Sequence, residues 1–265
     1  MIKKQTSINH AILILSMLFI LFSCSTDSEY NIPDSFLNIS VNDEGFKSDT
    51  DTRAVTPVYE FKSNDELSMF VVNQNTLESY DDLTGVINYK STYTGNNWNQ
   101  TVKVGLTDSQ GTVLAFYPYA DANSDPAAIP VTACQTDYLY GMSTSSVSQA
   151  NTNAVIKMKH VHTLVRFKFT SEMSRSISEI SISQMPESGT INLSNGVFTP
   201  AGTTKEVTET NLNLTVPSDK EYDYTTYVLP GNNLRFKFII DGKLYFYKPG
   251  VTLRIGKAYN VTLKI

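Results

Sequence analysis

The sequence has few cysteines, no excess of basic residues and almost no helical periodicity. Its formal net charge is −5 at pH 7, and removal of the first 23 residues would take away Lys3 and Lys4 and make the charge more negative. This balance argues against a nucleic-acid partner. With 2 cysteines in 265 residues, stability must come from packed apolar cores, and the length allows one large domain or two small ones.

Motifs for catalysis and cofactor binding are also scarce. The sequence contains no glycine-rich phosphate-binding loop and no HExxH metal motif. Cys134 follows Ala133 in an apolar setting without a convincing histidine and acid, so we interpret it as a small buried residue and not as a nucleophile. We therefore predict neither an enzyme nor a cofactor.

Two groups of residues have spacings that metal sites use. His160 and His162 would lie on one face of a strand, but no third ligand is evident nearby. Asp121, Asn123 and Asp125 match the first alternating positions of a calcium loop, although a proline replaces the turn glycine and no glutamate closes the loop. We interpret the histidine strand as packed or hydrogen-bonded and the loop carboxylates as solvated, so no metal site is predicted.

The first 23 residues are typical of an export signal. Two lysines precede an apolar run over residues 11–22, which is shorter than the about 20 residues needed to span a bilayer. Cys24 follows in a lipobox, so it would be acylated and become the first residue of a lipoprotein. Cys134 would then have no cysteine partner. A plain secretory signal and a buried apolar segment are the alternatives.

One strand is predicted soon after Cys24. Leu37, Ile39 and Val41 alternate with polar residues, and Phe36 precedes them, which is the pattern of a strand that buries one face. Burying these three side chains is worth about 1.5–3 kcal/mol each. We therefore expect this strand to contribute as much as the net stability of a small domain.

A protease site is predicted directly after that strand. Residues 42–45 would end the strand, and residues 47–51 are charged and poor in apolar groups, which predicts an exposed loop. Exposed polar loops are preferred sites of proteolysis, and Arg53, followed by Ala54, offers the side chain that a trypsin-like protease needs. The same residues fit a plain tether between a membrane anchor and a folded domain, so both interpretations stay open.

From Ala54 onward, the sequence predicts short strands separated by turns. They cover residues 58–61, 67–72, 86–89, 113–117, 155–160, 164–169, 177–182, 190–193, 211–216, 224–229, 234–240, 243–247 and 259–265. Strands this short and frequent predict β-sandwiches. Gly95-Asn96-Asn97 and Asp241-Gly242 predict hairpin turns, and a short helix is predicted around residues 172–178.

Similar numbers of strands stand on either side of His160, so we place a domain boundary there. The predicted organisation is a signal peptide over residues 1–23 and a lipidated pro-segment over residues 24–53, followed by an N-terminal sandwich over residues 54–160 and a C-terminal sandwich over residues 161–265. No sequence repeat accompanies the two halves.

Motifs spread over nearly the whole chain together resemble the fimbrillin-like lipoproteins of Bacteroidales. They are the lipobox Cys24, Thr52-Arg53-Ala54 before Tyr59-Glu60-Phe61, Tyr117-Pro118-Tyr119, Asp137-Tyr138-Leu139-Tyr140-Gly141, the His160 strand, Leu229-Pro230-Gly231, and Gly256-Lys257-Ala258-Tyr259-Asn260-Val261-Thr262-Leu263. Each motif is weak by itself, and their order carries the resemblance.

The resemblance implies an all-β protein with two tandem transthyretin-like Greek-key β-sandwich domains. It also implies delivery to the outer membrane as a lipoprotein, cleavage by an arginine-specific protease, and assembly with other pilin subunits into a cell-surface fimbrium by donor-strand exchange. Carried over to this chain, cleavage after Arg53 would release residues 24–53, including the detachable strand from Phe36 to Val41. The last predicted strand, residues 259–265, looks like an ordinary strand without an extension, so we expect a tip subunit more than a stalk subunit.

The main alternative is an outer-membrane surface lipoprotein that binds a glycan or a host ligand without pilus assembly. Aromatic side chains that could stack on sugars are Tyr93, Trp98, Tyr222, Tyr224 and Tyr227. Aromatic residues in short strands more often fill cores or form cross-strand pairs. A tip adhesin could combine both roles and contact a host or bacterial surface ligand.

Overall fold

The computed structural model describes residues 35–48, 54–55, 59–80, 84–133 and 137–265, and these residues form strands and no helix. The earlier strands are β1 (Asn38–Asp43), β2 (Phe46–Ser48), β3 (Ala54–Val55), β4 (Glu66–Asn73), β5 (Tyr89–Tyr93), β6 (Trp98–Gln100), β7 (Gly111–Tyr117), β8 (Ile129–Thr132) and β9 (Leu139–Ser143). The later strands are β10 (Asn153–His160), β11 (Thr163–Thr170), β12 (Arg175–Pro186), β13 (Ser188–Ile191), β14 (Phe198–Pro200), β15 (Thr204–Val216), β16 (Glu221–Val228), β17 (Arg235–Ile240), β18 (Lys243–Tyr247) and β19 (Lys257–Lys264). Within these ranges, no helix is long and apolar enough to cross a membrane.

The largest sheet has seven strands in the order β1-β10-β9-β7-β4-β5-β6. Its strand β4 is buried on both faces, because Leu67, Met69 and Val71 point into one apolar core and Phe70 and Val72 into another. The second of these cores is shared with a three-stranded sheet in the order β14-β13-β8. Burial on both faces explains why β4 is a nearly continuous apolar run in the sequence.

A five-stranded sheet and a four-stranded sheet face each other across a third core. Their orders are β16-β11-β19-β2-β3 and β15-β12-β17-β18. Val165, Phe167 and Phe169 of β11 point into this core, as their alternation with basic residues predicted. From the opposite sheet, Phe236 and Phe238 of β17 pack against the ring of Phe167 edge-on, with centroids 4.8 and 5.2 Å away. The prediction of an all-β chain with sandwich packing is confirmed.

Both predicted hairpin turns are confirmed. Between β5 and β6, Gly95 has a φ of 96° and the Thr94 N–H donates to the Asn97 carbonyl (2.9 Å). Between β17 and β18, Asp241 and Gly242 have φ values of 47° and 74°. Two consecutive positive φ values are those of a type I′ turn, which matches the twist of the strands that it joins.

The short helix predicted around residues 172–178 is wrong. β12 begins at Arg175, and Ile177 and Ile180 are both buried between β15 and β17. A register shift between Ile177 and Glu179 adds one residue to the strand, so two core residues stand three positions apart. This β-bulge imitates the spacing of a helix.

Two predicted strands are also placed differently. Residues 59–61 are irregular, and the Tyr59 N–H donates to the carboxylate of Asp43 instead of to a neighbouring strand. The strand predicted over residues 86–89 begins only at Tyr89. In both places the aromatic side chains that suggested a strand do pack on the first core, but Tyr59 does so from a loop.

The sheets divide the chain close to His160. All strands of the seven-stranded sheet come from residues 38–160, whereas the five- and four-stranded sheets use β11 to β19 except β13 and β14, together with β2 and β3. The three-stranded sheet combines β8 with β13 and β14, so it joins both halves. Residues Pro33–Ile265 cluster as one compact unit, and the division into domains 54–160 and 161–265 stays a prediction.

Gly141 in β9 provides a test of this packing. An added Cβ would lie 2.4 Å from the backbone oxygen of Lys157 in β10, so the two strands would have to separate. We predict that Gly141→Ala lowers the free energy of unfolding by about 1–3 kcal/mol, measured by urea unfolding followed by circular dichroism. Gly250→Ala is the control, because an added Cβ there meets no atom within 4 Å. Equal midpoints for the two variants would contradict the close approach of β9 and β10.

Candidate functional site

The N-terminal segment, defined here as residues 35–48, lies across two sheets. Its strand β1 is the edge of the seven-stranded sheet, and its strand β2 lies between β19 and β3 in the five-stranded sheet. The detachable strand predicted from the sequence is thus one part of a longer element. This element joins the seven-stranded sheet to the five-stranded sheet, which apart from β2 and β3 comes from the second half of the chain.

β1 pairs with β10 in parallel, from Asn38 opposite Asn153 to Asp43 opposite Met158. The predicted alternation is present, but only Leu37 is fully buried, while Ile39 and Val41 are half-buried against the same core. The apolar burial of these three side chains is therefore smaller than the sequence suggested. The strand also continues past Val41 to Asp43, because the carboxylate of Asp43 is hydrogen-bonded in the interior.

Residues before β1 are attached to the loop around Val104. The Leu37 N–H donates to the carbonyl of Val104 (3.0 Å), and the Leu106 N–H donates to the carbonyl of Ser35 (2.9 Å). The Gln100 side-chain amide donates to the carbonyl of Leu37 (2.9 Å). Phe36, predicted as part of the strand, is 39% exposed and lies under the ammonium group of Lys103 at 5.2 Å.

β2 was not predicted. Residues 47–51 were expected to form an exposed loop, but Lys47 and Ser48 are half-buried and pair in parallel with Lys257 and Ala258 of β19. On the other side, Phe46 and Lys47 pair with Val55 and Ala54 of β3. Phe46 explains the difference, since its fully buried ring fixes a short strand inside a polar stretch.

A tight turn carries the chain from β1 to β2. Gly45 has a φ of 66° and is buried, and its N–H donates to Asp43 Oδ1 (3.0 Å). A side chain would strain the backbone in this left-handed conformation, so glycine fits the position. The turn places Asp43 and Phe46 against the same neighbour, His160.

His160 is held between two carboxylates at the end of β10. Its Nε2 lies 3.0 Å from Asp43 Oδ2, and its Nδ1 lies 2.7 Å from Asp137 Oδ2. The ring of Phe46 stacks on the imidazole with a centroid distance of 3.8 Å and an interplanar angle of 16°. His160 is 1% exposed and the Asp43 side chain 0%, so these contacts are made away from water.

The geometry fits a positively charged His160 that donates from both ring nitrogens. Burial opposes this charge, but the hydrogen bonds to Asp137 and Asp43 and the charges of both carboxylates outweigh it, and they raise the pKa of His160 to about 9. Burial likewise opposes the ionisation of Asp137, but the interactions with His160 and His162 together outweigh it, so the pKa of Asp137 is lowered. An aromatic face over a charged imidazole adds a cation–π contact.

His162 lies next to this cluster but has a different position from the one predicted. It follows the end of β10 in the connection to β11, so the two histidines do not share one face of a strand. Its Nδ1 is 3.6 Å from Asp137 Oδ1, beyond hydrogen-bonding distance, and its ring stacks on Tyr138 with centroids 5.5 Å apart. Tyr227 approaches both Phe46 and His162 and completes the aromatic surroundings.

The other predicted site residues are only partly covered by the structure. Cys24, Arg53 and Cys134 lie outside the described residues, so lipidation and cleavage stay predictions. Ala54, the residue after the predicted cut, begins β3 at the edge of the five-stranded sheet. Cleavage after Arg53 would therefore fall between β2 and β3.

The acidic stretch that resembled a calcium loop has separate structural partners. Asn123 is buried and donates to the hydroxyl of Ser68 (3.2 Å). Asp121 accepts a hydrogen bond from the hydroxyl of Tyr119, and Asp125 accepts one from the N–H of Ala127 (2.8 Å). Within the described residues, no group of three or more histidine, cysteine or acidic residues is placed to hold a metal ion.

Of the aromatic residues considered for glycan stacking, Trp98 is buried, and the others, Tyr93, Tyr222, Tyr224 and Tyr227, are half-buried. Trp98 is 9% exposed, and its ring contacts Phe61 and Tyr93 with centroid distances of 5.1 Å in both cases. Tyr222 and Tyr224 pack against the core between the five- and four-stranded sheets, and Tyr227 packs against the cluster around Phe46.

Asp43, Phe46 and Asp137 are the functional candidates that the sequence analysis missed. The available signal was Asp43-Glu44-Gly45-Phe46 itself, an acid and a glycine that favour a turn, followed by a large apolar residue in a polar stretch. Nothing in the sequence places Asp137 beside His160.

The fold defines an all-β protein of packed sheets, in which β1 and β2 belong to two different sheets. A model of the fimbrillin-like family matches residues 52–265, which is most of the chain, and the chain belongs to this family. The resemblance seen in the sequence motifs is confirmed. The search of curated proteins found no match to this chain.

Solved structures support the fold. A candidate cell adhesion protein from Bacteroides ovatus is similar with a TM-score of 0.60 and 17% identity over 87% of this chain and 92% of that chain. One from Bacteroides uniformis has a TM-score of 0.59 and 16% identity over 88% and 94% of the two chains. One from Parabacteroides distasonis has a TM-score of 0.52 and 11% identity over 86% and 88%. At such identities the likeness shows the fold alone.

The charge on His160 predicts a pH-dependent stability. The unfolded chain, with the ordinary histidine pKa of 6.5, loses this proton before the folded chain, whose pKa is about 9. The stabilisation is therefore complete below pH 6.5, and on the order of 3 kcal/mol is lost as the pH rises from 6.5 to 9. Asp137 acts in the opposite sense, since its contribution is present above pH 3.8 and is lost as the pH falls through its lowered pKa.

Urea unfolding between pH 5.5 and 9 measures this dependence, and His160→Gln should flatten it above pH 6.5. Other titratable groups in the same cluster are Asp43, Asp137, His162 and Tyr227. Because His160→Gln removes only the His160 ring, the difference between the two proteins reports on His160. NMR titration of the His160 ring in the unmodified protein is the independent measurement. A ring that titrates near pH 6.5 contradicts the buried ion pairs.

Proposed function

We propose that this chain is the precursor of a structural, non-enzymatic subunit of a cell-surface fimbrium, and that cleavage after Arg53 activates it for assembly by donor-strand exchange. Membership of the fimbrillin-like family supports the fimbrial role and assembly with other pilin subunits. The activation step rests on one observation. The N-terminal segment is paired with two sheets and lies wholly on one side of the predicted cut.

Loss of this segment would expose a continuous acceptor groove. The outer edge of β10, from Asn153 to Met158, would lose its strand partner, and so would the edge of β19 at Lys257 and Ala258. The positions filled by Leu37 and Phe46, which are 3% and 0% exposed, would be empty. Unpaired strand edges beside an apolar groove are templates for a strand from another chain.

The same contacts explain why the precursor would not assemble early. While the N-terminal segment is in place, both strand edges are paired and the apolar positions are filled. An incoming strand would have to displace about as many backbone hydrogen bonds as it makes. Cleavage turns the resident strand into a separate molecule, which can then leave.

Cys24 would attach the precursor to the outer membrane through its lipid. Because Cys24 and the N-terminal segment precede Arg53, one cut would remove the lipid and the resident strand together. Release from the membrane and competence for assembly would then be a single event. The mature subunit, beginning at Ala54, would become part of the surface fimbrium.

A tip position is the finer part of the proposal. β19 lies between β11 and β2, and its register with β11 runs from Ala258 to Lys264. Withdrawing β19 to serve another subunit would break the five-stranded sheet, so the chain is better suited to accept a strand than to donate this one. An accepting subunit that keeps β19 in its own sheet fits the end of a fimbrium.

We predict that an arginine-specific protease cuts the folded chain, prepared without its first 24 residues, once and before Ala54. The remaining arginines, at positions 166, 175, 235 and 254, lie in or beside folded strands and should be resistant. Sequencing of the new N-terminus and mass spectrometry measure the cut. Only the cut protein should then form complexes with a partner pilin in size-exclusion chromatography.

Arg53→Gln is the matched control, and it should remain uncut and monomeric under the same conditions. Two results would contradict the proposal: a folded chain that resists cleavage at this position, or a chain that loses residues 25–53 without gaining affinity for a donor strand. Either outcome would favour an anchored surface lipoprotein that binds its ligand without assembly.

A further inference from the structure

We propose that the donor strand accepted by this chain carries a carboxylate aligned with Asp43 and an aromatic ring aligned with Phe46, three residues later. The inference rests on the proposed strand exchange and specifies its partner, a segment of another subunit that pairs with both sheets and turns between them as residues 43–46 do. Edge pairing with β10 alone would accept almost any extended chain, since it uses backbone groups. Selectivity has to come from side-chain positions.

Two hydrogen-bond donors outside the N-terminal segment converge on the carboxylate of Asp43. His160 Nε2 is 3.0 Å from Asp43 Oδ2, and the Tyr59 N–H donates to the same oxygen at 2.6 Å. Both donors follow Arg53 in the chain, so both would stay behind after cleavage. They form a recess built to receive a negatively charged oxygen.

A neutral donor strand would leave this recess unsatisfied. His160 is 1% exposed, and the Asp43 side chain is 0% exposed, so water has little access to replace the missing acceptor while a strand covers the site. An unpaired donor in such a place costs the full desolvation of the group, and more when the group is charged. Asp137 would remain as the one carboxylate against His160 among the described side chains.

The preference for an aromatic residue at the Phe46 position follows from the contact with the His160 ring. Phe46 is 0% exposed, stacks on His160 at 3.8 Å and lies 5.7 Å from the ring of Tyr227. A planar side chain can cover the face of the charged imidazole while its edge meets the tyrosine. An aliphatic side chain would fill part of the space but would lose the contact with the charge.

The requirement for a carboxylate and an aromatic ring at these two positions also distinguishes between possible donor strands. A second copy of this chain that offered β19 would present residues 257–265, which contain no aspartate or glutamate. β19 could supply alternating apolar side chains to the groove but no partner for His160. We therefore commit to a different subunit, whose donor segment has the acid and the ring at this spacing.

The test uses the chain cleaved after Arg53 and fluorescent peptides that match residues 35–48, of which three carry the main comparison. One has the natural sequence, the second carries Asp43→Asn, and the third carries Glu44→Gln. Glu44 is the matched control, because it is the adjacent carboxylate and pairs with Lys47 inside the peptide itself (2.9 Å). Fluorescence anisotropy measures the affinity of each peptide.

We expect the natural and Glu44→Gln peptides to bind alike and the Asp43→Asn peptide to bind at least about tenfold more weakly. In a His160→Gln protein this difference should shrink, because the two substitutions remove the same interaction. A peptide with Phe46→Leu should also bind more weakly than the natural one. A peptide that matches residues 257–265 should not compete.

The same substitutions in the full chain give a second measurement. After cleavage, a segment with Asp43→Asn should leave at least about tenfold faster than one with Glu44→Gln. Equal behaviour of these two variants, or an Asp43 effect that is unchanged in His160→Gln protein, would overturn the recognition of the acid while strand exchange survives. If the cleaved protein binds no peptide and its released segment never leaves, strand exchange itself is wrong and this inference fails with it.

Discussion

The packing of a buried, charged histidine between two carboxylates is the constraint on which the N-terminal part of the structure depends. His160 closes the last strand of the seven-stranded sheet, Asp137 stands just before β9, and Asp43 comes from the segment that also enters the five-stranded sheet. Each group would be costly to bury alone, and together they satisfy one another. The apolar alternation of β1 would still permit a shift by two residues along β10, whereas the contact between Asp43 and His160 admits a single register.

Local chemistry and long-range contacts meet in four consecutive residues. Asp43 accepts from the N–H of Gly45, which shapes the turn, and from Tyr59 and His160, which lie far away in the sequence. Phe46 then covers the histidine. The turn and the ion pair therefore support each other, which is the consistency between local and global structure that makes a fold specific. The apolar burial of Ile39 and Val41 is a weaker contribution than their alternation suggested.

Much of the sheet structure could be predicted from the sequence, because alternation and turn residues are local signals. The burial of Phe167 and Phe169 and the hairpin at Asp241 follow directly from neighbouring residues. The helix predicted near Ile177 failed because a bulge changes the spacing of core residues, and such a bulge depends on the partner strands. The cluster around His160 could not be predicted, since its acids are 117 and 23 positions away along the chain.

The direction of the N-terminal strands has a consequence for any assembly built on them. β1 runs parallel to β10, and β2 runs parallel to β19, so a replacement strand must enter with the same polarity at both sheets. The donor subunit and the acceptor subunit would use two different surfaces for this contact, so the contact could not be reciprocal. Head-to-tail contacts of this kind, when their rotation does not close a ring, generate open filaments. A fibre made in this way would have two unlike ends.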